Sequence, residues 1–139
     1  AYRNQRHARE EFDGVIRAAF ESAFGDAAAQ RLHRRPHLNT GAFALEADAP
    51  HWAAWSLALG RALEGEGSRP PSRERLAEQC AMNLVVYEEG LPAEFLPPRC
   101  NWLCHHAAPR EDPATGLLTE PIPPFESLGI VHETMWSKG

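Results

Sequence analysis

Side chains able to do chemistry gather at four places in this chain. The densest is Cys100, Cys104, His105 and His106, a Cys-x3-Cys-His-His cluster whose ligand types suit zinc. Adjacent histidines seldom both reach one ion, and no second Cys/His pair follows at finger spacing, so an acceptor cleft or plain packing is the better expectation there. Near the end, His132 precedes Lys138 by five intervening residues, an imidazole and an ammonium within reach of one site. An imidazole is an intermediate ligand for divalent metals, and a lysine is a point charge for phosphate. His132 is equally a half-buried histidine closing a strand. Glu78, Gln79 and Asn83 bring a carboxylate and two amides to one stretch. Asn39, Thr40 and Gly41 join amide, hydroxyl and glycine at a turn, where glycine lets a backbone approach a ligand closely.

The elements that must position these groups follow from periodicity. Phe12, Val15, Ile16, Ala19, Phe20, Ala23 and Phe24 recur at helical spacing, which predicts an amphipathic helix ended by Gly25. Asp26 is then expected to cap a short helix through Leu32. Leu38 to Leu45 reads as a strand entered through a glycine kink. Asp48 is expected to cap the next helix, with Pro50 in its first turn and Trp52, Trp55, Leu59 and Leu63 on its bulky face. Gly65 to Ser72 is a turn-rich linker, and a further helix is expected from Arg73 to Tyr87. Prolines at 92, 97, 98, 109, 113, 121, 123 and 124 forbid long helices beyond Gly90, up to a last short strand over Leu128–His132. The chain thus reads as one domain or partial domain: residues 1–35 helical, 36–89 a strand plus helices, and 90–139 a proline-rich wrap ending in a short strand. The fold class is α/β, with few strands for a complete sheet.

Composition bounds the partners. The 139 residues suffice for one sizeable core, and 43% hydrophobic with 24% charged residues is a globular balance. A net charge of -5 advertises no nucleic acid, and no apolar run approaches the length of a membrane span. Three cysteines make no secreted disulfide framework, so a cytoplasmic setting is expected.

Four ordered patches resemble the retaining glycosyltransferases of family eight, the glycogenin and bacterial galactosyltransferase type. They are Leu38-Asn39-Thr40-Gly41-Ala42-Phe43-Ala44 with Trp52 or Trp55 following, Glu78-Gln79-Cys80-Ala81-Met82-Asn83, Leu91-Pro92 to Asn101-Trp102, and the His132-x5-Lys138 tail. The resemblance spans roughly Leu38 to Lys138. It implies the C-terminal portion of a GT-A (Rossmann-like) nucleotide-diphospho-sugar transferase fold. It implies a nucleotide-diphosphate sugar donor, a UDP-sugar first among them, and a carbohydrate or other hydroxyl acceptor. It further implies His132 as ligand to Mn2+ or another divalent cation, Lys138 on the diphosphate, and Gln79 and Glu78 near the anomeric carbon as the catalytic pair. Asn39, Thr40, Gly41, Asn83, Asn101 and Trp102 are then the expected substrate-binding residues.

The chemistry is coherent with that set. Transfer from such a donor creates an oxocarbenium-like sugar and a diphosphate of growing negative charge, which a metal and a lysine stabilise. Glutamine is a poor nucleophile, so a front-face route, with departing phosphate taking the acceptor proton, suits Gln79. The family's Asp-x-Asp metal motif lies upstream of the Asn-Gly strand, and these 139 residues contain no Asp-x-Asp. A fragment is therefore expected, its carboxylates encoded before Ala1 and the isolated piece inactive. A non-catalytic carbohydrate- or protein-binding module of the same fold is the alternative.

Overall fold

A computed structural model describes residues 5–64, 73–104 and 107–133. The chain divides into two compact units, Ala1–Ala93 and Glu94–Gly139.

The first unit is helical, with α1 (Gln5–Phe24), α2 (Asp26–Leu32), α3 (His51–Glu64) and α4 (Arg73–Tyr87). Helix α1 buries Ile16, Ala19, Phe20 and Ala23, one stripe at i, i+3, i+4 and i+7, while Val15 lies off the stripe and exposed. It ends as the sequence predicts, at Gly25 with φ 84°, a left-handed backbone that a side chain would strain. The Gly25 N–H closes the helix on Glu21 O and its carbonyl opens α2 by accepting from Ala29 N. Asp26 therefore is the first residue of α2 and not its cap. Its carboxylate pairs with Arg17 and accepts from Gln30, at the helix end where the dipole favours an anion.

Much of the core is alanine. Ala58 and Ala62 of α3 and Ala77 and Ala81 of α4 are buried, and small residues let the two packed helices approach closely. Phe20, Leu32, Leu84 and Val85 supply the bulk. Helix α3 opens at His51 directly after Pro50, and the His51 ring is bonded through Nε2 to Pro92 O at 2.9 Å. Helix α4 has the bounds the sequence predicts.

The expected strand over Leu38–Leu45 is absent. The reason is a side chain: Asn83 Oδ1 accepts from Leu38 N at 2.9 Å, and Asn83 Nδ2 donates to Leu38 O at 2.9 Å. Both backbone groups that a strand would spend on a neighbour are thus satisfied by one amide from α4. Beyond it, Asn39 Oδ1 accepts from Gly41 N at 2.7 Å and turns the chain away.

The second unit follows the proline spacing, with a 3-10 turn at Pro98–Cys100 and, among its described residues, four two-residue strands. Strands β1 (Trp102–Leu103) and β4 (Val131–His132) pair in parallel, with Leu103 opposite His132. Strands β2 (Arg110–Glu111) and β3 (Leu118–Thr119) form an antiparallel hairpin closed over Asp112, whose carboxylate accepts from Ala114 N and Thr115 Oγ1. These two pairs are the sheets among the described residues. The last expected strand is shorter than Leu128–His132 but still ends on His132. No helix among the described residues is long and apolar enough to cross a membrane.

Candidate functional site

The residues expected to do chemistry fall into two groups, one in each unit. In the first unit, Gln79 and Asn83 of α4 meet the segment that carries His37 to Gly41. One pairing joins two side chains across the segment: His37 Nε2 with Gln79 Oε1 at 2.9 Å. An amide oxygen only accepts, so the imidazole donates from Nε2. The His37 ring also meets Phe20 edge-on, centroids 6.1 Å apart. Burial lowers the affinity of this imidazole for a proton, and the bond to Gln79 only partly opposes that. His37 therefore is a neutral ring that fixes the oxygen of Gln79.

That pairing has a pH signature. The unfolded chain takes a proton on His37 near the ordinary value of about 6.5, before the folded chain does. Stability is therefore full above that value, is lost as pH falls towards the lower folded value, and then levels off. Urea midpoints measured from about pH 8 down to about pH 5 are expected to show this fall, with a shallower one in His37→Leu. Identical slopes in the two proteins would contradict it.

Asn83 is nearly fully buried, and both its N–H donors are committed: besides Leu38 it donates to Gln79 O at 2.8 Å. With both donors spent and its side chain out of contact with solvent, its expected role as a substrate ligand gives way to a structural one. Asn39 is half-buried with its oxygen on Gly41 N, while Thr40 is half-buried and Gly41 exposed in the same turn. Glu78 is half-buried, and its backbone oxygen accepts from Trp55 Nε1 at 2.8 Å. Beside it, burial and then the Glu78 carboxylate push the Cys80 thiol up to about 12, which leaves that cysteine inert at neutral pH.

In the second unit, the parallel pairing of β1 with β4 brings Asn101 to His132. Asn101 Oδ1 lies 3.1 Å from His132 Nδ1, across 31 residues of sequence. The oxygen can only accept, so Nδ1 carries the hydrogen and Nε2 keeps the lone pair. Asn101 thus acts on the ring of His132. Trp102 is buried, donating from Nε1 to Ala107 O at 2.8 Å, and so packs its unit together. Lys138, His105 and His106 lie outside the described residues. Among the described residues no three His, Cys, Asp or Glu side chains gather where one metal ion could be held.

Two partners escaped the sequence reading. His37 carries no motif in the sequence, and Asn101 is expected there only as a substrate-binding residue. Each acts across a separation, 42 residues for His37–Gln79 and 31 for Asn101–His132, that carries no local pattern. Compared with known proteins, the chain matches no family model, no curated protein and no solved structure.

Proposed function

We propose that the chain is part of a retaining, metal-dependent hexosyltransferase that uses a nucleotide-diphosphate sugar, with a GT-A-like fold. The observation that carries this is the Asn101–His132 bond. Metal-binding histidines donate one ring N–H to a neighbouring acceptor, which fixes the tautomer and aims the other nitrogen. His132 has that arrangement at the end of β4, at the place where the family-eight resemblance expects a ligand.

The fit to a metal is partial. His132 suits one position, no three potential ligands gather among the described residues, and this reading requires carboxylates from outside them. Mn2+, when bound, would neutralise charge on the departing diphosphate. Lys138 adds a second positive charge to the same phosphates. Within the first unit, Glu78 and Gln79 are the residues that the resemblance assigns to the sugar, and the fixed oxygen of Gln79 leaves its NH2 as the end that donates to a hydroxyl. Asn39, Thr40 and Gly41 shape the turn beside them.

The test uses the natural polypeptide that contains these residues, assayed for sugar transfer against Mn2+ concentration. Asn101→Ala is expected to raise the half-saturating metal concentration about 10- to 100-fold, the cost of losing a ring-orienting partner. Asn101→Asp, which still accepts from Nδ1, is expected to restore it. Unchanged metal dependence in Asn101→Ala would overturn the role of His132. The absence of Asp-x-Asp from these residues favours a second reading, a non-catalytic carbohydrate- or protein-binding module, which predicts no transfer at any metal concentration.

A further inference from the structure

Three polar residues of α4, Gln79, Asn83 and Tyr87, stand four apart and so form one row along the helix. Each takes hold of the same short segment. Gln79 meets the His37 ring, Asn83 occupies both backbone groups of Leu38, and the Tyr87 hydroxyl donates to Pro36 O at 2.7 Å. His37 is thus held through the residues on both sides of it. Its ring also lies edge-on to the fully buried Phe20, with the planes at 75°. Little freedom is left to the imidazole.

The members of the row differ in what they keep. Asn83 has spent both donors, and Tyr87 gives its hydroxyl hydrogen to Pro36. The NH2 of Gln79 makes no hydrogen bond among the described residues, and it is not closed off from solvent. The last torsion of a glutamine is broad and roughly two-fold, so an unrestrained amide shows either end to a ligand. Here the choice is made by the Nε2–H of His37, which only the oxygen can receive. That oxygen is also the nucleophilic atom of the amide, and in this bond it is already engaged.

We propose that His37 is a positioning residue for Gln79, turning its amide so that the NH2, and not the oxygen, meets the sugar. Gln79 then serves as a hydrogen-bond donor and not as a nucleophile. This rests on the transfer reading for the place of Gln79 beside the sugar.

The test uses the natural polypeptide, assayed for sugar transfer at saturating metal with the donor varied. His37→Phe keeps a ring to meet Phe20 edge-on but removes the N–H. It is expected to lower kcat about 10- to 100-fold, the cost of a misplaced group beside the reacting atoms, with the donor KM within about threefold. His37→Gln returns an N–H donor and is expected to recover most of that rate. The decisive comparison is the cycle with Gln79→Ala. If His37 acts through Gln79, adding His37→Phe to Gln79→Ala costs nothing further, whereas a ring that only supports the fold would multiply the two losses. A reading that needs no variant is the tautomer: with 15N-labelled histidine, above neutral pH, His37 should carry its hydrogen on Nε2. A bare Nε2, parent turnover in His37→Phe, or multiplied losses in the double variant would each overturn the proposal. Parent turnover in Gln79→Ala would bring down the assignment of Gln79 together with its positioning. A slow Gln79→Ala beside an unimpaired His37→Phe would remove the positioning alone, and a polypeptide that transfers no sugar would remove the transfer reading itself, and the positioning with it.

Discussion

Asn83→Leu is expected to cost the first unit roughly 2–4 kcal/mol of stability, a large part of what an ordinary domain possesses. The substitution keeps the branched skeleton of the side chain and makes it somewhat larger, so the loss does not come from a cavity. It comes from Leu38, whose N–H and C=O both lose their partner. A buried polar group left unsatisfied costs about 1–3 kcal/mol, and the half-buried position of Leu38 keeps the sum towards the lower end. Asn83→Ala should cost less, because the space it opens admits water to the same two groups. In a thermal melt, Asn83→Leu is expected about 10–20 °C below the parent, given the entropy of unfolding of a unit this size. The order of the two variants is the decisive part. If Asn83→Leu melts with the parent, or above Asn83→Ala, then the amide is not what holds the 37–41 segment to α4.

The second large effect concerns turnover. In the natural polypeptide, His132→Ala and Lys138→Ala are each expected to depress sugar transfer by about 10²–10³-fold, the usual cost of removing one group that stabilises charge in a transition state. The two should differ in how they fail. Loss of His132 should also shift the metal dependence, since a ligand is gone, whereas loss of Lys138 should lower kcat at saturating metal. Neither should unfold the protein. Strand β4 is paired through its backbone, with Cys104 N donating to His132 O, and that bond survives a change of side chain. Lys138→Arg keeps the charge on a differently shaped group and should recover part of the rate. Turnover unchanged in both alanine variants would remove the tail from the chemistry.

The two stabilising amides, Asn83 and Asn101, share a logic. Each spends its oxygen on an N–H from a distant segment, and each thereby positions a neighbour that the sequence presents as reactive. Asn83 holds the backbone beside Asn39 and the helical carbonyl of Gln79. Asn101 holds the ring of His132. The family-eight resemblance marks both as sugar ligands, and residue type cannot correct it, because an amide that binds hydroxyls and an amide that binds backbone have the same formula. What separates them is burial and the count of groups already occupied, and only the packed structure contains those.

The helices were legible from residue order because their cause is local. The stripe Ile16, Ala19, Phe20 and Ala23, the stop at Gly25 and the span Arg73–Tyr87 each depend on neighbours within one or two turns. The extended second unit was legible for the same reason, since eight prolines remove donors and fix φ wherever they stand. Chemistry-bearing residue types were also visible, down to the His132-x5-Lys138 spacing. Tertiary structure decided the rest. Leu38–Leu45 has the composition of a strand, but a strand needs a partner, and an amide 45 residues away had already taken the Leu38 backbone groups. His37 became a fixed neutral ring, and Asn101 became the partner of His132, through pairings that loop closure over tens of residues made possible and no local pattern encodes.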